Sequence, residues 1–129
     1  MINITRCAHT AILVSDLEKS VYFYETVLGL PRIGSEALPE ANRSLKYSGV
    51  WYQVGDHQIH LIVDSDFKYK LQNEEKWGRN PHFALIIDNV EKAREHLQKN
   101  GYPVQMSASG RPALFVGDPD GNIIEMSEA

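Results

Sequence analysis

A tandem repeat governs what this chain can fold into. The run His9-Thr-Ala-Ile-Leu-Val-Ser-Asp-Leu-Glu-Lys returns as His82-Phe-Ala-Leu-Ile-Ile-Asp-Asn-Val-Glu-Lys, at an offset of 82 − 9 = 73, with His, Ala, Glu and Lys in step. Gly29-Leu-Pro31 returns as Gly101-Tyr-Pro103, and Val54-Gly-Asp56 returns as Val116-Gly-Asp118. Turn motifs recur along with the hydrophobic pattern. That argues for two copies of one supersecondary unit and against chance similarity of two amphipathic segments. By length, 129 residues make one domain, with repeat halves at about 5–64 and 80–127.

Residues 5–14 alternate around His9, Ala11 and Leu13, which reads as a strand. Ser15 or Asp16 suits a helix N-cap, with Glu18 and Lys19 in the first turn. Leu17, Val21, Tyr24 and Leu28 follow the spacing of one helical face, and Gly29 supplies the stop. A short strand follows at 31–34. Residues 34–49 are largely polar, with Pro39, Asn42, Ser35, Ser44 and Ser48, and read as a loop. Residues 49–54 and 58–63 form a hairpin across Gly55-Asp-His57. Residues 64–80 are charged and aperiodic, a connection with at most a short helix.

The second copy repeats the order. Strand 82–87 precedes a helix through Val90, Ala93 and Leu97 that ends at Asn100-Gly101. Strands follow at 104–106, 113–117 and 122–126, the last two joined by the turn Asp118-Pro-Asp-Gly-Asn122. The expected class is α+β: two tandem βαβββ modules whose mostly antiparallel mixed sheet curves around a shared trough.

Side chains alternate faces along a strand. His9 therefore shares a face with Ala11 and Leu13, His60 with Gln58 and Ile62, His82 with Ala84 and Ile86, and Glu125 with Ile123. If the repeat is a structural two-fold, His9 corresponds to His82 and His60 to Glu125. A lone strand histidine is more often a hydrogen-bonded structural residue, but three at repeat-equivalent positions argue for a shared role. Glu125, in Ile123-Ile-Glu-Met126, should be buried, and a buried carboxylate requires a cation or donors. Three imidazoles and one carboxylate suit a divalent Zn, Ni, Co, Mn or Fe(II) ion. A substrate with two neighbouring oxygens can occupy the open positions of such an ion. His57, in the hairpin turn, and His96, on the helix among Arg94, Glu95 and Gln98, read as surface residues.

Ala113 and Phe115 share the face of Glu125, and the repeat pairs them with Trp51 and Gln53. Trp51, Phe115 and Trp77 suit the wall of an apolar or planar substrate, with core packing as the competing reading. Arg79 and Arg111 lie in loops leading to strands. Either suits a clamp on a substrate carboxylate or phosphate, against the alternative of a solvated surface position. Glu125 has a second possible role. If a chelating substrate displaces it from the metal, it can act as general base for a proton α to a carbonyl. A net charge of −4 argues against nucleic acid or an anionic membrane as partner. The single cysteine, Cys7, excludes an internal disulfide and fits a reducing compartment. With no run of about 18 apolar residues, and Asn3 and Arg6 where a leader would be apolar, a cytoplasmic protein is expected.

These residues resemble the vicinal oxygen chelate superfamily, which includes glyoxalase I, extradiol dioxygenases, methylmalonyl-CoA epimerase, fosfomycin-resistance enzymes and bleomycin-binding proteins. The matching pieces are His9 to Ser20, Phe23-Tyr24, Leu28-Gly29-Leu30, Gly55 to Ile62, Pro81-His82-Phe-Ala and Asp118 to Glu125. The resemblance covers nearly the whole chain and implies the paired βαβββ fold. It carries the metal ligands over to His9, His60, His82 and Glu125, beside the substrate contacts read above from alternation and loop position, Trp51, Gln53, Phe115 and Arg111. It also implies a small-molecule substrate and a homodimer.

Departures from the subfamilies narrow the choice. Glyoxalase I usually has glutamate at the place of His60, and a glutathione-binding arginine at the place of Leu13. Fosfomycin enzymes have threonine where this chain has Ala11, and extradiol dioxygenases commonly have tyrosine at the place of Phe115. Bleomycin-binding proteins generally lack the metal set. The expectation is a metal-dependent glyoxalase-I-like enzyme of lyase or isomerase type. The alternatives are an extradiol-type Fe(II) dioxygenase and a non-catalytic drug- or metabolite-binding protein of the bleomycin-resistance type.

Overall fold

The computed structural model describes residues 1–35 and 49–129. The loop expected over 34–49 lies, apart from its ends, outside the described residues. The chain forms two compact units, Met1–Phe67 and Lys68–Ala129, one repeat to each. Among the described residues each unit carries one four-stranded sheet, and the fold is α+β with two tandem modules.

In the first unit, β1 (His9–Val14), β2 (Arg32–Ser35), β3 (Gly49–Val54) and β4 (His57–Val63) lie in the order β1-β4-β3-β2. β1 runs parallel to β4, and the other neighbours are antiparallel. The parallel pair requires a crossover, and helix α1 (Leu17–Val21) begins it. Asp16 caps α1, its Oδ1 accepting from the Lys19 amide at 3.1 Å. The helix then widens into a π-helical turn over Tyr22–Val27, where the Leu28 amide reaches the Phe23 carbonyl at 2.9 Å. Gly29 closes the element with φ of +79°, a conformation glycine adopts without penalty.

The wide turn changes which residues reach the core. The expected stripe was Leu17, Val21, Tyr24 and Leu28, but the buried set is Ser20, Phe23, Tyr24 and Val27. An i→i+5 turn advances the chain by an extra residue, so the stripe after Val21 slips around the helix. Phe23 and Tyr24 both enter the core and pack edge-on, with ring centroids 5.0 Å apart. They meet Ile12, Val14, Val50, Tyr52, Ile59 and Leu61 from the sheet. Each such side chain contributes about 1.5–3 kcal/mol by leaving water. The strand expected from residue 5 begins only at His9, where β4 first provides a partner.

The second unit repeats this plan. β5 (His82–Ile87), β6 (Val104–Met106), β7 (Ala113–Gly117) and β8 (Ile123–Glu128) lie in the order β5-β8-β7-β6, with β5 parallel to β8. Helix α2 (Val90–Lys99) is capped by Asn89, which stands 73 residues after Asp16 as the repeat requires. It ends at Gly101 with φ of +88°, as the first helix ends at Gly29. Val90 and Leu97 press it onto Leu114, Val116, Ile124 and Met126. Neither helix is long and apolar enough to cross a membrane.

Strand register fixes the repeat more tightly than motif matching does. Ala11 and Trp51 flank His60, and Ala84 and Phe115 flank Glu125. Trp51 is therefore the counterpart of Phe115, His60 that of Glu125, and Gln53 that of Gly117. This corrects the pairing of Trp51 and Gln53 with Ala113 and Phe115, and the match of Val54-Gly-Asp56 to Val116-Gly-Asp118. The physical reason is the turn. β3 and β4 join through Gly55 and Asp56 alone, with φ of +58° at Gly55, whereas β7 and β8 join through the longer 118–122 turn with its left-handed glycine at Gly121. The extra residues slide the motifs by one pleat.

Candidate functional site

In each sheet one face packs on the helix, and the candidate ligands lie on the other face. In the first unit, β1 presents His9, Ala11 and Leu13, β4 presents Gln58 and His60, and β3 presents Trp51. Their rings form a stack. His9 lies over His60 with centroids 4.0 Å apart and planes 9° from parallel, and Trp51 covers the other side of His60 at 4.8 Å. Nε2 of His60 is 2.8 Å from Oε1 of Gln58. An amide oxygen only accepts, so this contact puts a hydrogen on Nε2. Gln58 in turn donates to Gln53 at 3.4 Å, and Gln53 donates to the Gly55 carbonyl at 2.7 Å. Gln53 thus braces the hairpin turn. His57 was expected at the surface, but it is half-buried with Nε2 2.8 Å from Oγ1 of Thr10, because it opens β4 beside β1. His96 is exposed, as expected.

In the second unit the arrangement is different. His82 Nδ1 donates to the Asn80 carbonyl at 2.7 Å. That bond fixes the ring and leaves Nε2 directed at Oε1 of Glu125, 3.2 Å away. A neutral imidazole so held presents a lone pair to a carboxylate oxygen, two acceptors facing each other. The contact needs a proton or a metal cation between them.

Glu125 is largely buried, with 13% of its side chain exposed, as its apolar neighbours implied. Its other oxygen, Oε2, accepts from Ser127 Oγ at 2.9 Å and from both terminal nitrogens of Arg111 at 3.3 Å. Burial pushes the carboxyl up. Hydrogen bonds from Ser127 and Arg111, the Arg111 charge and the His82 contact outweigh burial and hold it below the usual carboxylate range.

Phe115 packs edge-on against His82, at 5.6 Å and 90°. Behind it lies a short 3₁₀ turn, Trp77–Arg79, in which Gly78 is so close to the Phe115 ring that an added Cβ would stand 2.8 Å from Cζ. Trp77 is half-buried, its backbone amide donating to Gln105 and its indole to the Glu74 carbonyl. Asn80 organises this segment. It is 3% exposed, its Oδ1 accepts from the Gln72 and Asn73 amides, and its Nδ2 donates to the Asn73 and Trp77 carbonyls.

Among the described residues, neither unit gathers three His, Cys, Asp or Glu side chains into a metal-binding group. Each gathers two of the four candidates. The His82–Glu125 pair has the donor chemistry of half a metal site. The His9–His60 pair has parallel rings, so its nitrogens do not converge, and His60 must give up Gln58 to bind an ion through Nε2. Sequence reasoning missed the supports: Gln58 for His60, Ser127 for Glu125 and the Asn80 carbonyl for His82. All three lie two residues from the side chain they hold. A polar residue at i±2 from a candidate ligand is the signal that period-2 alternation offers.

The family profile described as Glyoxalase/Bleomycin resistance protein/Dioxygenase superfamily matches residues 6–126. A lactoylglutathione lyase of Salmonella typhimurium is 31% identical over 129 residues, which cover 96% of this chain and 93% of that protein. The human mitochondrial methylmalonyl-CoA epimerase is 30% identical over 138 residues, covering 98% of this chain and 76% of that protein. The structure of the trypanothione-dependent glyoxalase I of Leishmania major superposes with a TM-score of 0.70 at 26% identity, covering 97% of this chain and 87% of the other.

Proposed function

This chain belongs to the Glyoxalase/Bleomycin resistance protein/Dioxygenase superfamily, and on that premise we propose that it is a metal-dependent enzyme of glyoxalase-I-like, lyase or isomerase type. Its substrate is a small molecule with two neighbouring oxygens. The candidate ion ligands are His9 and His60 in the first unit and His82 and Glu125 in the second. When bound, a divalent ion supplies Lewis acidity to an oxyanion that develops on the substrate. The observation that carries the reading is the pairing of His82 Nε2 with Glu125 Oε1 at 3.2 Å while Nδ1 is tied to a backbone carbonyl.

The chain's own groups divide the remaining work. Ser127 and Arg111 occupy Oε2 of Glu125 and keep the carboxylate ionised, so Oε1 is the atom that faces an ion or takes a proton α to a carbonyl. Phe115 and Trp51 lie beside His82 and His60 and give each pair an apolar neighbour.

Elemental analysis of the isolated protein tests the reading, followed by a panel of hemithioacetal, α-keto and catechol substrates with oxygen consumption recorded. We expect one divalent ion per site and turnover without oxygen uptake. Oxygen uptake with a catechol would move the assignment to an extradiol dioxygenase. Tight ligand binding by metal-free protein that takes up no ion would move it to a sequestering protein.

A further inference from the structure

The β3–β4 hairpin carries a hydrogen-bond relay that can run in only one direction. It starts at the turn, where Nε2 of Gln53 donates to the Gly55 carbonyl at 2.7 Å and to the His57 carbonyl at 3.4 Å. A backbone carbonyl only accepts, so the amide nitrogen of Gln53 faces the turn and its Oε1 faces Gln58. Nε2 of Gln58 donates to that oxygen at 3.4 Å, which leaves Oε1 of Gln58 to accept from Nε2 of His60 at 2.8 Å. Main-chain groups two side chains away thus decide which ring nitrogen of His60 carries the hydrogen.

The ring is also held against turning. His9 stacks on one side of His60 at 4.0 Å and 9°, and Trp51 on the other at 4.8 Å and 22°. Rotating the imidazole away from Gln58 would disrupt both contacts. His82 is fixed in the opposite sense, because its Nδ1 donates to the Asn80 carbonyl. In their neutral forms the two histidines are therefore opposite tautomers.

We infer that Gln53 and Gln58 are positioning residues that fix the neutral ring of His60 as its Nε2–H tautomer. The lone pair of that ring then lies on Nδ1. While the relay is closed, His60 accepts a proton or a hydrogen bond only at Nδ1, and Nε2 becomes an acceptor only when Gln58 lets go. The relay needs no bound ion, so it stands or falls independently of the metal-enzyme reading above.

Nitrogen NMR of the full chain reads the tautomer directly, because protonated and lone-pair ring nitrogens resonate far apart. The protein is held with a chelator at about pH 9, above the ordinary imidazole pKa of about 6.5, so that the rings are neutral. His60 should show its hydrogen on Nε2 and His82 on Nδ1. Gln58→Leu should lower the ratio of Nε2–H to Nδ1–H at His60 by about 3- to 10-fold, the worth of one hydrogen bond. Gln53→Leu, which lets the Gln58 amide turn over, should lower it by about 2- to 5-fold. Gln58→Glu keeps an acceptor and should match or exceed the native ratio. The His82 signals should hold in every variant. If Gln58 only packs, Gln58→Leu shifts the melting temperature and leaves the ratio alone. A native His60 with its hydrogen on Nδ1, or a ratio within about 1.5-fold of native in folded Gln58→Leu, overturns the inference. Should Gln58→Leu not fold, an unchanged ratio in Gln53→Leu overturns it as well.

Discussion

The contact between Gly78 and Phe115 makes the packing behind His82 testable. A Cβ at position 78 would stand 2.8, 3.1 and 3.4 Å from Cζ, Cε1 and Cε2 of Phe115. To restore a contact of 3.4 Å, the ring tip must retreat by 3.4 − 2.8 = 0.6 Å. Phe115 is only 8% exposed and abuts His82, so it has little room to retreat. Overpacking of that kind costs about 1–3 kcal/mol. Gly78 does not have a positive φ, so alanine is otherwise compatible there and would by itself stabilise by about 0.4–1 kcal/mol. The sign is therefore diagnostic.

We expect Gly78→Ala to lower Tm by about 3–15 °C in a chain of this size, and to weaken divalent-ion binding as the ring tilts His82. Phe115→Leu removes the clashing atoms and costs about 1–2 kcal/mol alone. The double variant should lose less than the sum of the two singles, by about 1–2 kcal/mol. Denaturant melts of all four proteins measure this. Strict additivity, or a Gly78→Ala protein as stable as the parent, would refute the packing argument.

Other expectations follow from the same geometry. The folded-state carboxyl of Glu125 titrates below its unfolded value, so its stabilising effect is full above the ordinary carboxylate range and is lost as pH falls through the folded value. Glu125→Gln should flatten that part of the acid limb in a pH series of melts, and an unchanged limb would count against it. Ser20 Oγ is buried in the first helix without a partner among the described residues, so Ser20→Ala should raise stability by about 0.5–1 kcal/mol. A loss would reveal a partner that geometry does not show. In ion titrations, His82→Ala and Glu125→Ala should each weaken binding by about 100-fold or more, and His60→Ala by about tenfold. The order reflects the Gln58 contact that His60 must give up, and equal losses would mean His60 turns freely.

The one-dimensional pattern determined most of the architecture. Apolar and β-branched runs between turn residues marked β3, β5, β6 and β7 at their observed bounds, because the residues that break a strand are local in sequence. Asp16, Gly29 and Gly101 marked helix ends, because capping and left-handed turns depend on single local residues. Apolar neighbours also revealed the burial of Glu125.

Tertiary structure decided what local pattern cannot encode. The π turn after Val21 reassigned the buried stripe, because it depends on how Phe23 and Tyr24 pack against the sheet. Register paired Trp51 with Phe115, because turn lengths between strands set that offset. The two candidate pairs also came out unlike one another. His9 and His60 stack, while His82 and Glu125 face each other, because Gln58, Asn80, Ser127 and Arg111 direct the donor atoms. Residue types name a ligand set, and the hydrogen bonds around them decide where each lone pair points.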